Sequence, residues 1–246
     1  PPPPPPFSSR RRHTRYKDWS RGLGDVYKRQ LFGYAHVPWM AKKQRLIDEA
    51  ALPGSVERRA QAEAASIALV AAGYQAIGID HFALPEDPLA VAARAGTLHR
   101  NFQGYTTDQA ETLIGLGSTS IGRTPWGYVQ NISETGAWSR AVMAGQLPVA
   151  KGHELSAADR ARAQVIEQLM CEGAADLEAV RRAYGQDDGW CDDALANLAP
   201  MVGDNLVELD RDTVRLSEHA KPLARVAAAA FDTYFQSARA RHSVAV

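Results

Sequence analysis

Residues 98–107, Leu-His-Arg-Asn-Phe-Gln-Gly-Tyr-Thr-Thr, form the part of the chain best equipped to bind a polar ligand. The imidazole of His99 can titrate near neutral pH, the guanidinium of Arg100 can grip a carboxylate, and the amide of Gln103 can donate and accept. The apolar residues lack helical spacing, and Gly104 allows close approach of the backbone to a ligand. The composition fits either an ordinary polar loop or a surface that binds an anion.

The elements that must position this segment begin with a predicted strand at residues 31–37. A helix is expected over residues 56–72, capped by Ser55 and stopped by Gly73, and a second strand over residues 74–80. A strand, a helix and a strand predict a βαβ unit, so we expect the two strands to be parallel.

Polar residues follow both predicted strands. His36 stands at the end of the first strand, and Asp80 and His81 stand at the end of the second. In parallel α/β folds the carboxyl ends of the strands carry the chemistry. A single histidine at a strand end is commonly structural, so both interpretations stay open.

Residues 113–122 are rich in glycine and small side chains. They contain no Gly-Lys-Ser/Thr and no complete dinucleotide-binding fingerprint, so a phosphate-binding loop is not predicted. We expect the small residues to let a strand lie close to a ligand or to a neighbouring element. A further strand is expected at residues 126–131 and a helix at 133–144.

The pattern becomes mainly helical after about residue 147. We expect three helices, a β-hairpin and a last helix, which together describe a winged-helix-like module. Their predicted ranges are 156–171, 176–184, 191–201, 205–210 with 213–216, and 219–239.

The first 30 residues differ from the rest in composition and charge. They begin with six prolines and carry a net charge of +6, whereas residues 31–246 carry −6. An arginine-rich start could be a transit peptide, a nucleic-acid-binding arm or a disordered tail. Residues 8–15 and 25–30, however, resemble a translated sequencing adaptor. We therefore expect residues 1–30 to be disordered and foreign to the fold.

The remaining composition limits the class of protein. The two cysteines, Cys171 and Cys191, give neither a disulfide framework nor a metal-binding C-x-x-C, which favours a reducing cytoplasm. No apolar run approaches the roughly 18 residues needed to span a bilayer. We expect a protein without a membrane segment.

With these residues laid out, the chain resembles the C-terminal half of the oxygen-independent coproporphyrinogen III oxidases, a family of radical S-adenosylmethionine enzymes. The resemblance covers essentially all of residues 31–246, and several motifs occur in the same order. The matching stretches are residues 34–38, 73–83, 98–107, 115–121 and 231–234.

The resemblance implies an α/β fold. Residues 31–131 would form the end of an incomplete (β/α) barrel, and residues 132–246 a helical, winged-helix-like domain. It also implies S-adenosylmethionine and a [4Fe–4S] cluster in the full-length enzyme, a porphyrinogen substrate, an electron donor for the cluster, and a monomer in the cytoplasm. The family's chemistry is the oxidative decarboxylation of two propionates of coproporphyrinogen III to vinyl groups.

The resemblance also assigns site residues. Ala35 and Ile121 match positions that contact S-adenosylmethionine. Arg100 and Gln103 are candidates for facing the substrate, whose carboxylates suit a guanidinium and an amide, and His99 and Asp80 are further candidates for the same cavity. No metal ligand and no catalytic residue is assigned.

One departure concerns the cluster, which in this family needs three thiolates in a C-x-x-x-C-x-x-C motif. The sequence lacks this spacing, and Cys171 and Cys191 are 20 residues apart. The resemblance therefore predicts that the chain as written is inactive.

Three other classes of protein remain as alternatives. A winged-helix DNA-binding regulator needs positive charge, which residues 31–246 do not have in excess, so we expect no nucleic-acid partner. A haem-binding or haem-inserting paralogue could use His36 and His81 as axial ligands. A purely structural protein is the third alternative.

Overall fold

The protein is described here by a computed structural model, which covers residues 27–39 and 41–235. The expectations for residues 1–26 and for the last residues of the final predicted helix lie outside the described residues. Strands and helices alternate along the first part of the described chain, and helices dominate the second, in agreement with the expected α/β class.

The strands form small antiparallel sheets with the orders β1-β3-β2, β4-β5, β6-β7-β8 and β10-β11-β9. Their bounds are β1 Lys28–Gln30, β2 Gln75–Ile77, β3 His81–Ala83, β4 His99–Asn101, β5 Gly104–Thr106, β6 Ile121–Thr124, β7 Gly127–Asn131, β8 Val149–Glu154, β9 Ala174–Asp176, β10 Val207–Asp210 and β11 Thr213–Leu216.

Most of the predicted helices are present close to their expected positions. Their bounds are α1 Ser55–Ala71, α2 Pro88–Ala95, α3 Thr135–Met143, α4 Ala157–Glu172, α5 Leu177–Tyr184, α6 Asp192–Gly203 and α7 Ala224–Ala229. Short 3-10 helices occupy Lys42–Leu46, Glu49–Ala51 and Glu218–Leu223.

The predicted parallel pairing is wrong for the described residues. The strand expected at residues 74–80 ends at Ile77, and a turn at residues 78–80 reverses the chain into β3, so β2 and β3 pair antiparallel. Gly78 adopts the left-handed conformation, with φ +60°, which suits glycine. A Cβ at this position would also overlap the ring of Tyr105, so the turn requires glycine for two reasons.

The strand expected at residues 31–37 is also absent. β1 pairs antiparallel with β3 from Lys28 to Gln30, and the backbone ladder ends where Leu31 N donates to Asp80 O at 2.9 Å. β3 begins at His81, so residues after Leu31 run past its end into an irregular segment. The ordered strand at Lys28–Gln30 also differs from the expectation that residues up to 30 stand outside the fold.

The final helix is shorter and more irregular than predicted. The helix expected at residues 219–239 is a 3-10 turn over Glu218–Leu223 followed by α7, with turns from residue 231 to 235. Pro222 lies inside this region and has no N–H to donate, so it interrupts a continuous α-helix.

Helix α4 forms the centre of the larger hydrophobic core. Ala161, Val165 and Leu169 are fully buried along one side of α4. They belong to one cluster with residues of α5, α6, α7 and the β9–β11 sheet, including Leu198 and Phe231. This arrangement of helices and a hairpin agrees with the winged-helix-like module expected from the sequence.

Truncation of the buried Leu169 should destabilise the protein strongly. We expect Leu169→Ala to lower the free energy of unfolding by about 2–5 kcal/mol, because it leaves a cavity in a core with little freedom to collapse. Leu147→Ala is the matched control, since Leu147 is 87% exposed. Denaturant unfolding followed by circular dichroism measures both, and equal effects would contradict this assignment of the core.

Candidate functional site

The segment with the strongest chemical signature forms a β-hairpin. β4 and β5 pair antiparallel, with Arg100 opposite Tyr105 and Asn101 opposite Gly104. Asn101 Oδ1 accepts a hydrogen bond from Gln103 N at 2.8 Å, which fixes the turn that carries Phe102 and Gln103. The expectation of a non-helical polar segment is therefore confirmed, and Gln103 is exposed at the turn.

Tyr105 anchors this hairpin to two other parts of the chain. Its hydroxyl donates to Met170 O on α4 at 2.8 Å and accepts from Ile79 N in the turn between β2 and β3 at 3.2 Å. The residue is 4% exposed, and burial raises the pKa of its phenol above the usual value of 10.0. One neutral side chain thus joins the β1–β3 sheet, the hairpin and the helical module.

Glu167 of α4 provides a second anchor for the hairpin. Its Oε1 lies 3.0 Å from His99 Nδ1 and accepts from Arg100 N at 3.3 Å. The guanidinium of Arg100 lies over the ring of Tyr105, with Cζ 4.3 Å from the ring centroid. His99 and Arg100 are therefore held towards the helical module.

One nitrogen of Arg100 is unusual. Its Nη1 is buried and has no hydrogen-bond partner among the described residues. A buried unpaired donor costs about 1–3 kcal/mol, so this position is capable of receiving an acceptor from a ligand or from a segment outside the described residues.

Asp80 and His81 form a hydrogen-bonded pair in the turn before β3. His81 is 5% exposed, and its Nδ1 lies 2.7 Å from Asp80 Oδ1. Asp80 Oδ2 accepts a further hydrogen bond from Gln30 Nε2 at 3.3 Å. The imidazole packs edge-on against the Tyr105 ring, with the ring centroids 5.1 Å apart.

A cleft of about 340 Å³ lies between β1 and the hairpin. Of the candidates, Gln103 lines it, whereas His99 and Arg100 do not; Asp80 lies behind His81. The lining residues are Lys28, Arg29, Gln30, His81, Asn101, Gln103, Gly104, Tyr105 and Thr106. The structure thus places His81 and Gln103 on one cavity and the other hairpin candidates on the opposite side, against α4.

The tip of the hairpin contacts the sheet that carries Ile121. The rings of Phe102 and Tyr128 pack edge-on at 5.5 Å, and Tyr128 pairs with Arg123 on β6. Ile121, the first residue of β6, is 36% exposed. It is an apolar residue at an accessible sheet end.

The glycine-rich stretch brings a loop close to this sheet, as predicted. A Cβ at Gly122 would lie 2.9 Å from Leu113 O, and one at Gly115 would lie 2.9 Å from the Ile121 backbone. Asn131 Nδ2 donates to the carbonyls of Gly115 and Gly117 at 3.1 and 2.9 Å, which holds the loop in place.

Ala35 and His36 lie in the irregular segment after β1. Ala35 is exposed, and its carbonyl accepts from Gln44 Nε2 at 3.1 Å. His36 uses both ring nitrogens, with Nδ1 3.1 Å from Tyr34 Oη and Nε2 3.1 Å from Glu49 Oε1. An axial haem bond to His36 would have to break one of these contacts.

Neither cysteine has the character of a cluster ligand. Burial raises the pKa of the Cys171 thiol to about 12 and that of the Cys191 thiol to about 11, and metal ligation requires the thiolate. Among the described residues, no group of three or more His, Cys, Asp or Glu side chains could hold a metal ion. The described residues therefore do not fit an iron–sulfur cluster.

None of the described helices has both the length and the apolar character to cross a bilayer.

The anchoring role of Glu167 was missed in the sequence. Glu167 follows Ile166 in a helix predicted from its buried residues, and no motif marks this one carboxylate. Tyr105, by contrast, was visible as an aromatic residue within the polar segment, although its partners were not.

Comparison with known proteins finds relatives over most of the chain, although no family model matches it. The oxygen-independent coproporphyrinogen III oxidase of Bradyrhizobium diazoefficiens is 45% identical over 216 residues, which are 88% of this chain and 48% of that protein. The protein of the same name from Paracoccus denitrificans gives the same identity and coverage. Coproporphyrinogen III oxidase, anaerobic 1, of Cereibacter sphaeroides is 42% identical over 216 residues, 87% of this chain and 47% of that protein.

A solved structure of a protein of this type also matches most of the chain. The chain superimposes on coproporphyrinogen III oxidase (HemN) from Escherichia coli, described as a radical SAM enzyme, with a TM-score of 0.80 and 32% identity. The match covers 90% of this chain and 51% of that protein. The chain spans about half the length of the relatives it matches.

Removal of the Tyr105 hydroxyl should loosen the hairpin. We expect Tyr105→Phe to cost about 1–3 kcal/mol of unfolding free energy, because Ile79 N and Met170 O lose their partner. Since the folded pKa of Tyr105 is raised, its contribution is present below pH 10 and is lost as pH rises through the folded value. The wild type should therefore lose more stability above pH 10 than the variant.

Denaturant titrations at pH 8 and pH 11 measure both effects. Tyr128→Phe is the control, because the described residues provide no hydrogen bond to its hydroxyl. A Tyr105→Phe protein as stable as the control, with an unchanged pH dependence, would rule out this anchor.

The cysteines should resist alkylation in the folded protein. At pH 8 their raised pKa values leave little thiolate, so iodoacetamide should react slowly until denaturant is added. A Leu147→Cys variant, at an 87% exposed position, should react rapidly under the same conditions. Mass spectrometry of native samples follows the labelling of each cysteine. Labelling of Cys171 and Cys191 as fast as that of the cysteine introduced at position 147 would contradict this expectation.

Proposed function

We propose that this chain, a homologue of the C-terminal half of the oxygen-independent coproporphyrinogen III oxidases, forms the substrate-facing part of such an enzyme. The reaction would convert two propionates of coproporphyrinogen III to vinyl groups and give protoporphyrinogen IX. The observation that carries the proposal is 45% identity across 88% of the chain to relatives that bear this name.

The geometry of the hairpin supports this proposal. Gln103 lines a polar cleft, and Phe102 contacts the sheet that begins at Ile121. Arg100 keeps one unpaired buried donor, which suits a carboxylate. A substrate with several carboxylates could therefore meet donors on both sides of the hairpin.

This chain would contribute to binding S-adenosylmethionine but not to binding the cluster. Ala35 and Ile121 are accessible and apolar, so each can supply packing against S-adenosylmethionine and no charge. When bound, this cofactor would supply a radical that abstracts hydrogen from a propionate, while the protein positions the substrate and excludes side reactions. The cluster ligands would come from the other half of the enzyme.

The further parts of the proposal concern the context of the enzyme. We infer a porphyrinogen substrate, an electron donor for the cluster, a monomeric full-length enzyme and a cytoplasmic location. Residues 1–30 would be foreign to the enzyme, and a match to 216 of 246 residues is compatible with this.

The proposal predicts that the chain is inactive alone and active when completed. The chain would be produced with the N-terminal half of the Bradyrhizobium diazoefficiens relative, and the cluster reconstituted without oxygen. We expect 5′-deoxyadenosine formation and conversion of coproporphyrinogen III to protoporphyrinogen IX by the completed protein, and neither product from the chain alone.

The control is the relative divided at the same point and reassembled in the same way. If the reassembled relative converts coproporphyrinogen III and the completed protein cleaves S-adenosylmethionine without doing so, the proposed substrate is wrong. Products from the chain alone would contradict the assignment of the cluster to the other half.

A further inference from the structure

The Asp80–His81 pair has no role in the function proposed so far, although it combines burial, charge and access to a cavity. The 2.7 Å contact with Asp80 fixes the orientation of the imidazole and favours a proton on Nδ1. The other ring nitrogen, Nε2, is left available to a ligand, because it has no hydrogen-bond partner among the described residues. His81 itself lines the cleft between β1 and the hairpin.

Gly104 keeps His81 accessible from the cleft. A Cβ at Gly104 would lie 2.7 Å from His81 Cε1 and 3.0 Å from His81 Nε2, so a side chain at this position would press on the free edge of the imidazole. The backbone of Gly104 also has φ +135°, which other residues rarely adopt.

The lining of the cleft is suited to an anion. Outside residues 1–30, it contains the amides of Asn101 and Gln103 and the hydroxyl of Thr106, and none of its lining residues is Asp or Glu. Lys28 and Gln30 line it as well, but they belong to the segment expected to be foreign to the enzyme. Asp80 lies behind His81, where it can balance the charge of an imidazolium without meeting the ligand. A group that presents two acceptor oxygens can bind both the imidazolium and an amide N–H.

We propose that this cleft binds one alkyl carboxylate, a propionate side chain of the substrate, through a hydrogen bond from Nε2 of a His81 imidazolium, which takes its second proton from solvent on binding and donates Nδ1–H to Asp80. This assignment rests on the proposed function, and it names the residues that hold a carboxylate of that substrate. His81 would be a binding residue, and Asp80 would position it.

The test uses the full chain with 15N-labelled histidine. Propionate and coproporphyrin III, the stable oxidised form of the porphyrinogen, are titrated separately while the His81 nitrogens are followed by NMR. We expect both ligands to shift the Nε2 resonance of His81 towards that of a protonated, hydrogen-bonded nitrogen, with no change at His219.

Variants measure the contribution to affinity for coproporphyrin III, followed by fluorescence. A lost hydrogen bond between charged groups predicts about 10-fold weaker binding for His81→Gln, and a smaller loss for Asp80→Asn, which keeps an acceptor for Nδ1. His219→Gln is the matched control, because His219 lies outside the cleft and contacts Ser217. The NMR titration of the unaltered chain decides the question if a variant does not fold.

The outcomes separate this assignment from the proposed function. Coproporphyrin III that binds the wild type and His81→Gln equally overturns the carboxylate site and leaves the function standing. Propionate that shifts His81 while coproporphyrin III does not bind supports the site and contradicts the proposed substrate.

Other ligands of His81 would give distinct results. A shift caused by S-adenosylmethionine but not by coproporphyrin III would assign the carboxylate to the amino-acid part of that cofactor and overturn the propionate assignment. A haemin Soret shift that His81→Gln abolishes would identify an axial ligand instead. Loss of binding in Lys28→Ala with full binding in His81→Gln would show that the ammonium alone holds the anion.

Discussion

The hydroxyl of Tyr105 holds together segments that are far apart in the sequence. It accepts from Ile79 N and donates to Met170 O, 26 and 65 residues away. The same ring occupies the space beside Gly78, packs against His81 and supports the guanidinium of Arg100. The relative positions of the hairpin, the turn at residues 78–80 and α4 therefore depend on a neutral, buried phenol.

The surroundings of that phenol divide the polar residues of the hairpin between two environments. On one side, Glu167 contacts His99 and accepts from the backbone of Arg100, so the helical module fixes the hairpin by hydrogen bonding. On the other side, His81 and Gln103 line a cleft without carboxylates of its own. The separation keeps the acidic anchor away from the surface that would meet an anionic ligand.

Local signals made the helices predictable. Ser156 and Asp159 cap α4 reciprocally, and Gly173 ends it in the left-handed conformation. These features depend on residues close in sequence, which is why the predicted and observed bounds agree within a few residues. The α/β class and the helical module follow from the same kind of signal.

Strand pairing was less predictable because it depends on distant partners. Residues 74–80 have the composition of one buried strand, yet the requirement for glycine at Gly78 becomes clear only when the ring of Tyr105 is in place. β8 has every residue exposed and lacks a buried face that a sequence pattern could reveal. Residues 98–107 were recognised as a non-helical polar segment, but the division between the two sides of the hairpin depends on Glu167, which no motif marks.

The contact between Tyr105 and Met170 also sets an order of events during synthesis. The hairpin emerges from the ribosome 65 residues before the carbonyl that accepts its phenol. Contacts this distant in sequence form late, because the intervening chain must first be ordered. Until α4 has emerged, the phenol can bond only to Ile79 N, so the hairpin gains its second anchor after the helical module has begun to fold.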